Sequence, residues 1–399
     1  MVRIKITMYF IIHIQVAHML RRERNNVSIQ MQRKLGFGAM RLPLTNSDDP
    51  KSIDLAQFRQ MADLFMEQGF CYFDTAYPYH DGYSEEAIRQ CVVEQYPRER
   101  FLLADKMPVY LVKSGEDYER IFQEQLRRCG VNYFDVYLLH NLGRDHYPDT
   151  ERFGGFNFLK RLKEQGLARN IGFSFHDDAE TLDHILTEHP EVDVVQLQIN
   201  YLDWDGAVAQ SGRCYDVASR HGKEIIVMEP VKGGQLARLT DPALKLFADY
   251  YGGEAPSPAS LAIRYAASLE QVKVVLSGMS TPEQVADNTA YMRDFVPLSA
   301  GELALTKQIA GELKSSIRVP CTGCRYCMEV CPQNIAIPDY FGLLNLHAVT
   351  GKKTNMYYQR YSMNHGKASE CVKCGACERN CPQHIAIRDM LEEFSALYS

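Results

Sequence analysis

The chain has 399 residues, of which 46% are hydrophobic and 24% are charged, and its formal net charge is −6. This balance excludes a mainly disordered chain, because the apolar content is high and the net charge per residue is low. The mild acidity argues against a nucleic-acid-binding protein, which carries a basic face. The length predicts two or three domains. Twelve cysteines are too few in a chain of this length for a disulfide scaffold, so their positions are more informative than their number.

The first thirty residues are predicted to lie outside the folded domains. Positive residues precede an apolar stretch there, but His13, Gln15 and His18 interrupt it and no small-residue cleavage site follows. The stretch is also too short and too polar to span a bilayer. We expect residues 1–30 to be a disordered extension or the product of an upstream start codon, and we expect no membrane partner.

A long alternation of strand-like and helix-like segments runs from Leu35 to about Met292. Eight such pairs over about 260 residues match the size of a (β/α)8 TIM barrel. A doubly wound open sheet is the alternative, but the G-x-G-x-x-G expected after its first strand is reduced here to Gly36 and Gly38. The predicted strands are KLGFGAMRL, CYFDTA, RFLLADKM, FDVYLLH, ARNIGFSF, DVVQLQIN, EIIVMEP and KVVLSG. The predicted helices are DLAQFRQMADLFMEQG, SEEAIRQCVVEQ, DYERIFQEQLRRCG, FNFLKRLKEQG, DAETLDHILTEH, GRCYDVASRHG, SPASLAIRYAASL and TPEQVADNTAYM.

Four polar residues are expected at one rim of this barrel. Asp74, Lys106 and His140 end the second, third and fourth predicted strands, and Tyr79 follows five residues after Asp74. Catalytic groups of a barrel lie at the carboxyl ends of its strands and in the loops that follow. A carbonyl that is being reduced develops negative charge on oxygen and needs a proton donor beside it. A tyrosine can donate that proton, and a nearby lysine lowers the tyrosine pKa from its usual value of about 10.

The segments around these four positions resemble the aldo-keto reductase family. FDTAYPYHDGYSEE resembles the family's second-strand motif, and LLADKMP and VYLLHNL resemble the segments with its lysine and histidine. The resemblance covers roughly residues 35–292. It implies a (β/α)8 barrel and hydride transfer from a nicotinamide that is bound without a Rossmann domain. It also implies that Tyr79 is the general acid of a catalytic tetrad, which consists of Asp74, Tyr79, Lys106 and His140.

The same resemblance implies a set of cofactor-binding residues. Ser174 and Gln196 match residues that bind the nicotinamide carboxamide, and Phe175 stands where the family usually has an asparagine. An arginine is common at the position of Gln284 in members that prefer NADPH, and glutamine does not suit a 2′-phosphate. Both NADPH and NADH therefore stay open as cofactors. The implied cofactor-binding residues are Gly38, Met40, Asp74, Ser174, Gln196, Gly233, Gly234, Gln284, Asp287 and Asn288.

Eight of the twelve cysteines form two runs near the C-terminus. Each run fits C-x2-C-x2-C-x3-C-P, and the tails CPQNIAIPD and CPQHIAIRD repeat at a period of fifty residues, which indicates an internal duplication. Such spacing favours metal ligation in a reducing compartment, here the cytoplasm. The first run is Cys321, Cys324, Cys327 and Cys331, and the second is Cys371, Cys374, Cys377 and Cys381. The scattered cysteines, for which we expect no ligand role, are Cys71, Cys91, Cys129 and Cys214.

The two runs resemble those of two-cluster bacterial ferredoxins, in which the fourth cysteine of each run binds the other cluster. The resemblance implies two 4Fe–4S clusters in a small, mainly helical ferredoxin-like domain. Zinc is the alternative metal, although two zinc sites would need neither the third cysteine of each run nor the C-P ending. We therefore expect a barrel over residues 31–298 and a helix with a two-cluster domain over 299–399. The implied ligands are Cys321, Cys324, Cys327 and Cys381 for the first cluster, and Cys371, Cys374, Cys377 and Cys331 for the second.

The leading hypothesis is an oxidoreductase that moves a hydride between NADPH or NADH and a small carbonyl or alcohol. Its clusters would relay electrons to or from a redox protein partner. One alternative is a carbonyl reductase whose clusters are purely structural. Another is a non-catalytic scaffold that binds a cofactor for an electron-transfer module, although the complete tetrad argues against it. We expect a monomer or a homodimer.

Overall fold

The computed structural model contains a closed barrel followed by a helical, cysteine-rich region. It describes residues 29, 33–47, 49–206, 210–350, 353 and 355–398. Apart from Ile29, the extension predicted over residues 1–30 lies outside the described residues, and its nature stays a prediction. Ile29 is buried, and its backbone N–H donates to the Glu224 carboxylate at 3.1 Å.

Eight parallel strands close the barrel within the described residues. Each strand pairs with the next along the chain, and the eighth pairs with the first. This is the predicted (β/α)8 topology, and it excludes the doubly wound open sheet. The strands are β1 (Leu35–Gly38), β2 (Tyr72–Asp74), β3 (Leu102–Pro108), β4 (Phe134–Leu142), β5 (Ala168–Phe175), β6 (Val194–Gln198), β7 (Glu224–Met228) and β8 (Val272–Ser277).

Apolar side chains fill both sides of the barrel wall. Inside, β-branched residues such as Val136 and Val274 pack with Tyr72 in one buried cluster. Outside, the strands pack against the helices through a larger cluster that is rich in Phe and Leu. Gly172 lets β5 approach β6 closely, because a Cβ at this position would collide with the carbonyl oxygen of Val194. These contacts hold the carboxyl ends of the strands in a fixed ring.

Helices surround the strands as the sequence predicted. They are α1 (Leu55–Glu67), α2 (Ser84–Ile88), α3 (Gly115–Cys129), α4 (Tyr147–Arg152), α5 (Gly155–Gln165), α6 (Ala179–Glu188), α7 (Ser211–Arg220), α8 (Asp241–Tyr251), α9 (Pro258–Ala267) and α10 (Pro282–Arg293). Asp54 and Thr281 cap α1 and α10 through their side-chain oxygens. The sequence did not predict α4 and α8, which lie in the loops after β4 and β7. No helix within the described residues is long and apolar enough to cross a membrane.

The C-terminal part of the chain adds one helix to the barrel and then forms a separate core. Helix α11 (Ala300–Ser316) packs its Leu305 and Ile309 against α8 and α9 of the barrel. The segment over residues 317–398, named here the cysteine domain, has a core in which Tyr340 stacks on Phe394 with ring centroids 4.8 Å apart. Its helices are α12 (Tyr326–Glu329), α13 (Ile337–Thr350), α14 (Asn355–Ser362), α15 (Ala376–Arg379) and α16 (Ile387–Tyr398). The exact domain boundaries stay a prediction.

Candidate active site and cluster sites

The four residues predicted as a tetrad meet at the carboxyl ends of β2, β3 and β4. The Lys106 ammonium donates to Asp74 Oδ1 at 2.5 Å and to the Thr75 carbonyl oxygen at 2.8 Å. It also donates at 3.2 Å to the hydroxyl oxygen of Tyr79, which lies in the turn after β2. The His140 ring stands edge-on to the Tyr79 ring, with centroids 5.9 Å apart. Tyr79 thus has a cation at its hydroxyl and an imidazole beside its ring.

The protonation states of these groups follow from burial and from the ion pair. Burial lowers the pKa of Lys106, but Asp74 and Tyr79 outweigh it, so the net shift is upward and the lysine is charged. Burial raises the pKa of Tyr79, and the Lys106 cation opposes this shift without cancelling it. Burial, with Lys106 second, holds the pKa of His140 well below its ordinary value. At neutral pH the site therefore has a protonated tyrosine, a charged lysine and a neutral histidine.

The two residues predicted to bind the nicotinamide carboxamide form part of the floor of this site. The Gln196 amide donates to Asp74 Oδ2 at 3.1 Å, which orients the carboxylate that holds the lysine. The Ser174 hydroxyl oxygen accepts a backbone N–H from Asn141 at 2.8 Å. Both side chains are almost fully buried. In this structure Gln196 contacts a tetrad residue, and Ser174 holds the backbone next to His140.

The predicted cofactor residues near β1 and β8 lie at the same end of the barrel. Gly38 ends β1, and Met40 is in the short turn that follows. Gln284 accepts a backbone N–H of the preceding turn at 2.8 Å, and Asp287 accepts a serine hydroxyl at 2.6 Å. Asn288 donates to a serine hydroxyl oxygen at the end of β8 at 2.8 Å. These polar groups are all used in contacts within the barrel.

Two tyrosines that the sequence analysis did not single out complete the aromatic surroundings of His140. The Tyr326 hydroxyl lies 3.4 Å from His140 Nε2, and their rings are edge-on. The Tyr110 ring lies 6.1 Å from the His140 ring. Tyr110 Oη and His140 Nδ1 are buried and have no hydrogen-bond partner among the described residues. Because buried polar atoms are normally satisfied, both atoms are candidates to hydrogen-bond a polar group of a ligand.

The ligand set predicted for the second cluster lines one cavity. One pocket is bordered by Cys331, Cys371, Cys374 and Cys377, together with apolar side chains such as Ile335. The set includes the last cysteine of the first run, as the crossed pairing requires. The Cys331 sulfur also accepts a backbone N–H from Ile335 at 3.5 Å. These residues fit a cluster held by four thiolates.

The ligand set predicted for the first cluster is also brought together. Burial raises the pKa of the Cys327 thiol, and the sulfurs of the other three members raise it further. These members are Cys321, Cys324 and Cys381. Within the described residues, no group of three or more His, Cys, Asp or Glu side chains converges on a single-ion position.

The cysteine domain lies directly on the loop after β7. Gly233 has a left-handed backbone, and a Cβ there would collide with the carbonyl oxygen of Thr322. The Arg41 guanidinium donates to the same oxygen at 3.0 Å. The Gln235 amide donates to the Cys321 carbonyl oxygen at 2.9 Å. The glycine predicted to admit a pyrophosphate thus admits the backbone of the cysteine domain.

The scattered cysteines belong to the barrel and lie in or against its outer core. They are Cys71, Cys91, Cys129 and Cys214. The sequence analysis missed Tyr110 in the barrel and the residues that make contacts between the two domains. Tyr326 had one available indication, because the repeat places Ala376 at the corresponding position between Cys374 and Cys377. Because the second run has alanine at this position, the tyrosine is not required by the cysteine motif and is a candidate for a role outside it.

Comparisons with known proteins agree with both parts of the structure. Residues 34–310 match the model of the Aldo/keto reductase family, and residues 320–386 match that of a 4Fe-4S dicluster domain. An aldo-keto reductase of Mycolicibacterium vanbaalenii is 29% identical over 240 residues, which are 58% of this chain and 77% of that protein. The NADH-specific methylglyoxal reductase of Escherichia coli is 22% identical over 62% of this chain and 85% of its own length.

Solved structures show the same fold in the barrel. An aldo-keto reductase of Bacillus halodurans in its holo form superposes with a TM-score of 0.56 at 23% identity, over 69% of this chain and 91% of that one. An aldo/keto reductase of Klebsiella pneumoniae in complex with NADP and acetate gives a TM-score of 0.54 at 20% identity, again over 69% and 91%. The family model alone spans well over half of the chain. The chain belongs to the aldo/keto reductase family, and a 4Fe-4S dicluster domain follows its barrel.

Proposed function

We propose that the barrel interconverts a small carbonyl compound and its alcohol, with Tyr79 as the proton donor in the reducing direction. The observation that supports this most directly is the contact between the Tyr79 hydroxyl and the Lys106 ammonium at 3.2 Å. The lysine is in turn held by Asp74 at 2.5 Å in a buried ion pair. This arrangement supports the proposal because a proton donor beside a fixed positive charge can stabilise the negative charge that develops on a carbonyl oxygen.

The chain's own residues account for the proton. Reduction of the carbonyl to an alcohol requires two electrons and two protons. The electron donor supplies either a hydride to the carbonyl carbon or two single electrons, in which case the carbon takes its proton from solvent. Tyr79 is protonated at neutral pH because burial raises its pKa, so it can give the other proton to the carbonyl oxygen. Lys106 then stabilises the tyrosinate that remains, and Asp74 keeps the lysine charged and in place. His140 is neutral and can hydrogen-bond the substrate oxygen without competing as an acid. The unpartnered Tyr110 hydroxyl offers a further contact for a polar substrate.

The substrate class is proposed from the aromatic surroundings of His140 and from two relatives. The rings of Tyr79, Tyr110 and Tyr326 stand 5.9, 6.1 and 6.1 Å from the His140 ring, and this close packing favours a small substrate. One relative is named for methylglyoxal, and an Arabidopsis thaliana relative, 24% identical over 68% of this chain, is an L-galactose dehydrogenase. Both names refer to small oxygen-rich compounds, and this supports a small polar carbonyl for the present chain.

The cysteine domain is proposed to hold two 4Fe–4S clusters for electron transfer with a redox protein partner. When bound, each cluster exchanges one electron. Cys374 is exposed, whereas Cys324 and Cys327 flank Tyr326, which contacts His140. One predicted ligand set therefore reaches the surface and the other lies next to the tetrad. A purely structural role, the alternative, gives no reason for this arrangement. Eight ligand thiols also favour a reducing compartment such as the cytoplasm.

The predicted use of NADPH or NADH meets a difficulty at the loop after β7. The floor of the site offers Gln196 and Ser174, as the family resemblance requires for the carboxamide. The predicted pyrophosphate position beside Gly233 is taken by the backbone of Thr322. A dinucleotide therefore does not fit this arrangement of the two domains, and the proposed proton transfer does not depend on one.

Substitution of the proton donor tests the proposed function. The holoprotein is reconstituted anaerobically and assayed with methylglyoxal and other small aldehydes, with NADPH, NADH or dithionite-reduced methyl viologen as electron donor. Tyr79→Phe should lower the turnover number by about 10²–10⁴-fold, the usual contribution of a positioned acid. Tyr83→Phe is the matched control, because Tyr83 is exposed on the neighbouring turn and should leave the rate unchanged.

Cluster absorbance separates loss of chemistry from loss of fold. Both variants should keep the visible absorbance of two clusters and the melting temperature of the wild type. A Tyr79→Phe protein that retains the full rate with any donor would disprove the assignment of the acid.

A further inference from the structure

We infer that the cysteine domain and a nicotinamide dinucleotide compete for the same part of the barrel. The barrel surface that the cysteine domain covers is named here the seat, and it includes Arg41, Gln198, Lys232, Gly233 and Gln235. While the cysteine domain is docked on the seat, it excludes the dinucleotide. The inference goes beyond the proposed function, because the tetrad can act on a carbonyl whichever electron donor is used. Three groups of contacts between the domains support it.

The first group occupies the predicted pyrophosphate position. Gly233 has no room for a side chain because the Thr322 carbonyl lies against it. The Arg41 side chain donates to the Thr322 carbonyl oxygen at 3.0 Å, and the Gln235 side chain donates to the Cys321 carbonyl oxygen at 2.9 Å. A phosphate at this place would need the space beside Gly233 that the Thr322 carbonyl fills. The two occupants are therefore mutually exclusive at the atomic level.

The second group fixes the domain over the carboxyl ends of β6 and β7. Gln383 and Gln198 exchange two amide hydrogen bonds of 2.7 and 3.2 Å. Lys232 donates to Gln383 Oε1 at 3.2 Å while it pairs with Asp203 at 2.6 Å. Gln198, Lys232 and Gln383 are each at most 5% exposed. Buried polar groups that satisfy one another in this way mark a specific seat, because leaving any of them unpaired would be unfavourable.

The third group reaches the catalytic residues themselves. Tyr326 extends from α12 to within 3.4 Å of His140. The second copy of the cysteine motif has Ala376 at this position, so cluster binding does not require a large side chain here. Tyr326 thus fills space beside Tyr79 and His140 that an incoming nicotinamide ring would have to share with it.

The consequence is quantitative. A dinucleotide can bind only to the fraction of molecules in which the cysteine domain has left its seat, and its apparent dissociation constant is the intrinsic one divided by that fraction. A domain that is seated in 99% of the molecules would weaken binding about 100-fold. Variants that unseat the domain should therefore bind NADPH and NADH more tightly than the wild type, although they gain no new contact to the nucleotide.

Binding of NADPH and NADH to the intact, cluster-loaded protein tests this directly. Isothermal titration calorimetry under anaerobic conditions measures the dissociation constants of the wild type, of the double variant Tyr326→Ala/Gln383→Ala and of Gln333→Ala. The double variant should bind at least one nucleotide tenfold or more tightly than the wild type. Gln333 is the matched control, because it occupies the position of Gln383 in the first repeat and is exposed. Gln333→Ala should bind like the wild type.

Hydrogen exchange of residues 229–236 reports the seat independently of any nucleotide. This segment should be protected in the wild type and in Gln333→Ala, and should exchange faster in the double variant. The inference is overturned if the wild type binds NADPH or NADH with a micromolar dissociation constant while the segment stays protected. It is also overturned if the double variant exposes the segment but binds no better, or if the double variant leaves the segment protected, since the named contacts would then not hold the domain. Tyr79-dependent turnover with reduced viologen would survive any of these results, so the proposed function is judged separately.

Discussion

At Tyr79, burial and the neighbouring lysine act in opposite directions on the pKa, and burial has the larger effect. The sequence analysis considered only the lysine and therefore expected a lowered pKa. The raised pKa matters for the role of Tyr79, because a protonated tyrosine can donate to a carbonyl oxygen, whereas alcohol oxidation requires a base. The protonation state of Tyr79 is therefore consistent with its proposed role as proton donor. In the same proposal Lys106 stabilises the tyrosinate that forms when the proton leaves.

The ion pair between Lys106 and Asp74 gives a prediction at the same scale. Both side chains are almost fully buried, so removing one partner leaves the other as an uncompensated charge. Lys106→Met or Asp74→Asn alone should lower the free energy of unfolding by about 3–5 kcal/mol. The double variant should recover most of that loss, because no buried charge is left without a partner. Denaturant unfolding measures these free energies.

Turnover separates stability from chemistry in the same three proteins. All of them should be inactive, because the cation that stabilises the tyrosinate is absent or misplaced. A double variant that is as unstable as the sum of the two single variants would show that the pair is not the main reason for either loss.

Among the elements, β5 and β6 approach each other more closely than a side chain would allow. Gly172 pairs with Val194 in the parallel ladder, and a Cβ at Gly172 would meet the Val194 carbonyl oxygen. Gly172→Ala should therefore lower the free energy of unfolding by about 3 kcal/mol or more, at the upper end of overpacking effects. The same substitution at Gly311 in α11 is the control, because no atom lies within 4 Å of a Cβ there. Gly311→Ala should stabilise the protein by up to about 1 kcal/mol through helix propensity, and equal melting temperatures for the two variants would contradict the packing argument.

The elements also show what the sequence could predict and what it could not. Strands and most helices follow from periodicity, and Asp74, Lys106 and His140 follow from the rule that catalytic groups lie at strand ends. Helix α4 was missed because its six residues are too few to show a repeating pattern. Helix α8 was missed although its buried residues Ala243 and Phe247 have helical spacing. The contact between Tyr326 and His140 joins residues that are 186 positions apart in two domains. It depends on how one domain docks on another, and local sequence contains no information about docking.

At the scale of the whole molecule, the cysteines belong to the core of the domain that docks on the barrel. Cys327, Cys377 and Cys381 are buried members of the hydrophobic cluster of the cysteine domain. The predicted clusters would therefore fill space in the interior of a domain of roughly eighty residues, a size at which a single core is only marginally stable. The barrel has its own larger core and does not need them. Cluster binding should thus determine whether the cysteine domain folds. Because the folded cysteine domain covers Gly233, cluster binding should also determine whether this part of the barrel surface is exposed.

Removal of the clusters tests this link. An iron chelator added to the reduced protein should unfold the cysteine domain, because metal binding supplies folding free energy that a small core cannot. Calorimetry should then show the barrel unfolding near its original temperature and no separate cysteine-domain transition. Hydrogen exchange should increase in residues 229–236, since the Thr322 and Cys321 carbonyls no longer cover them, while β3 and β4 stay protected. Cys91→Ser, which changes a barrel cysteine, should leave the holoprotein unaffected. An iron-free protein in which residues 229–236 remain protected would show that the cysteine domain keeps its fold and its seat without the clusters.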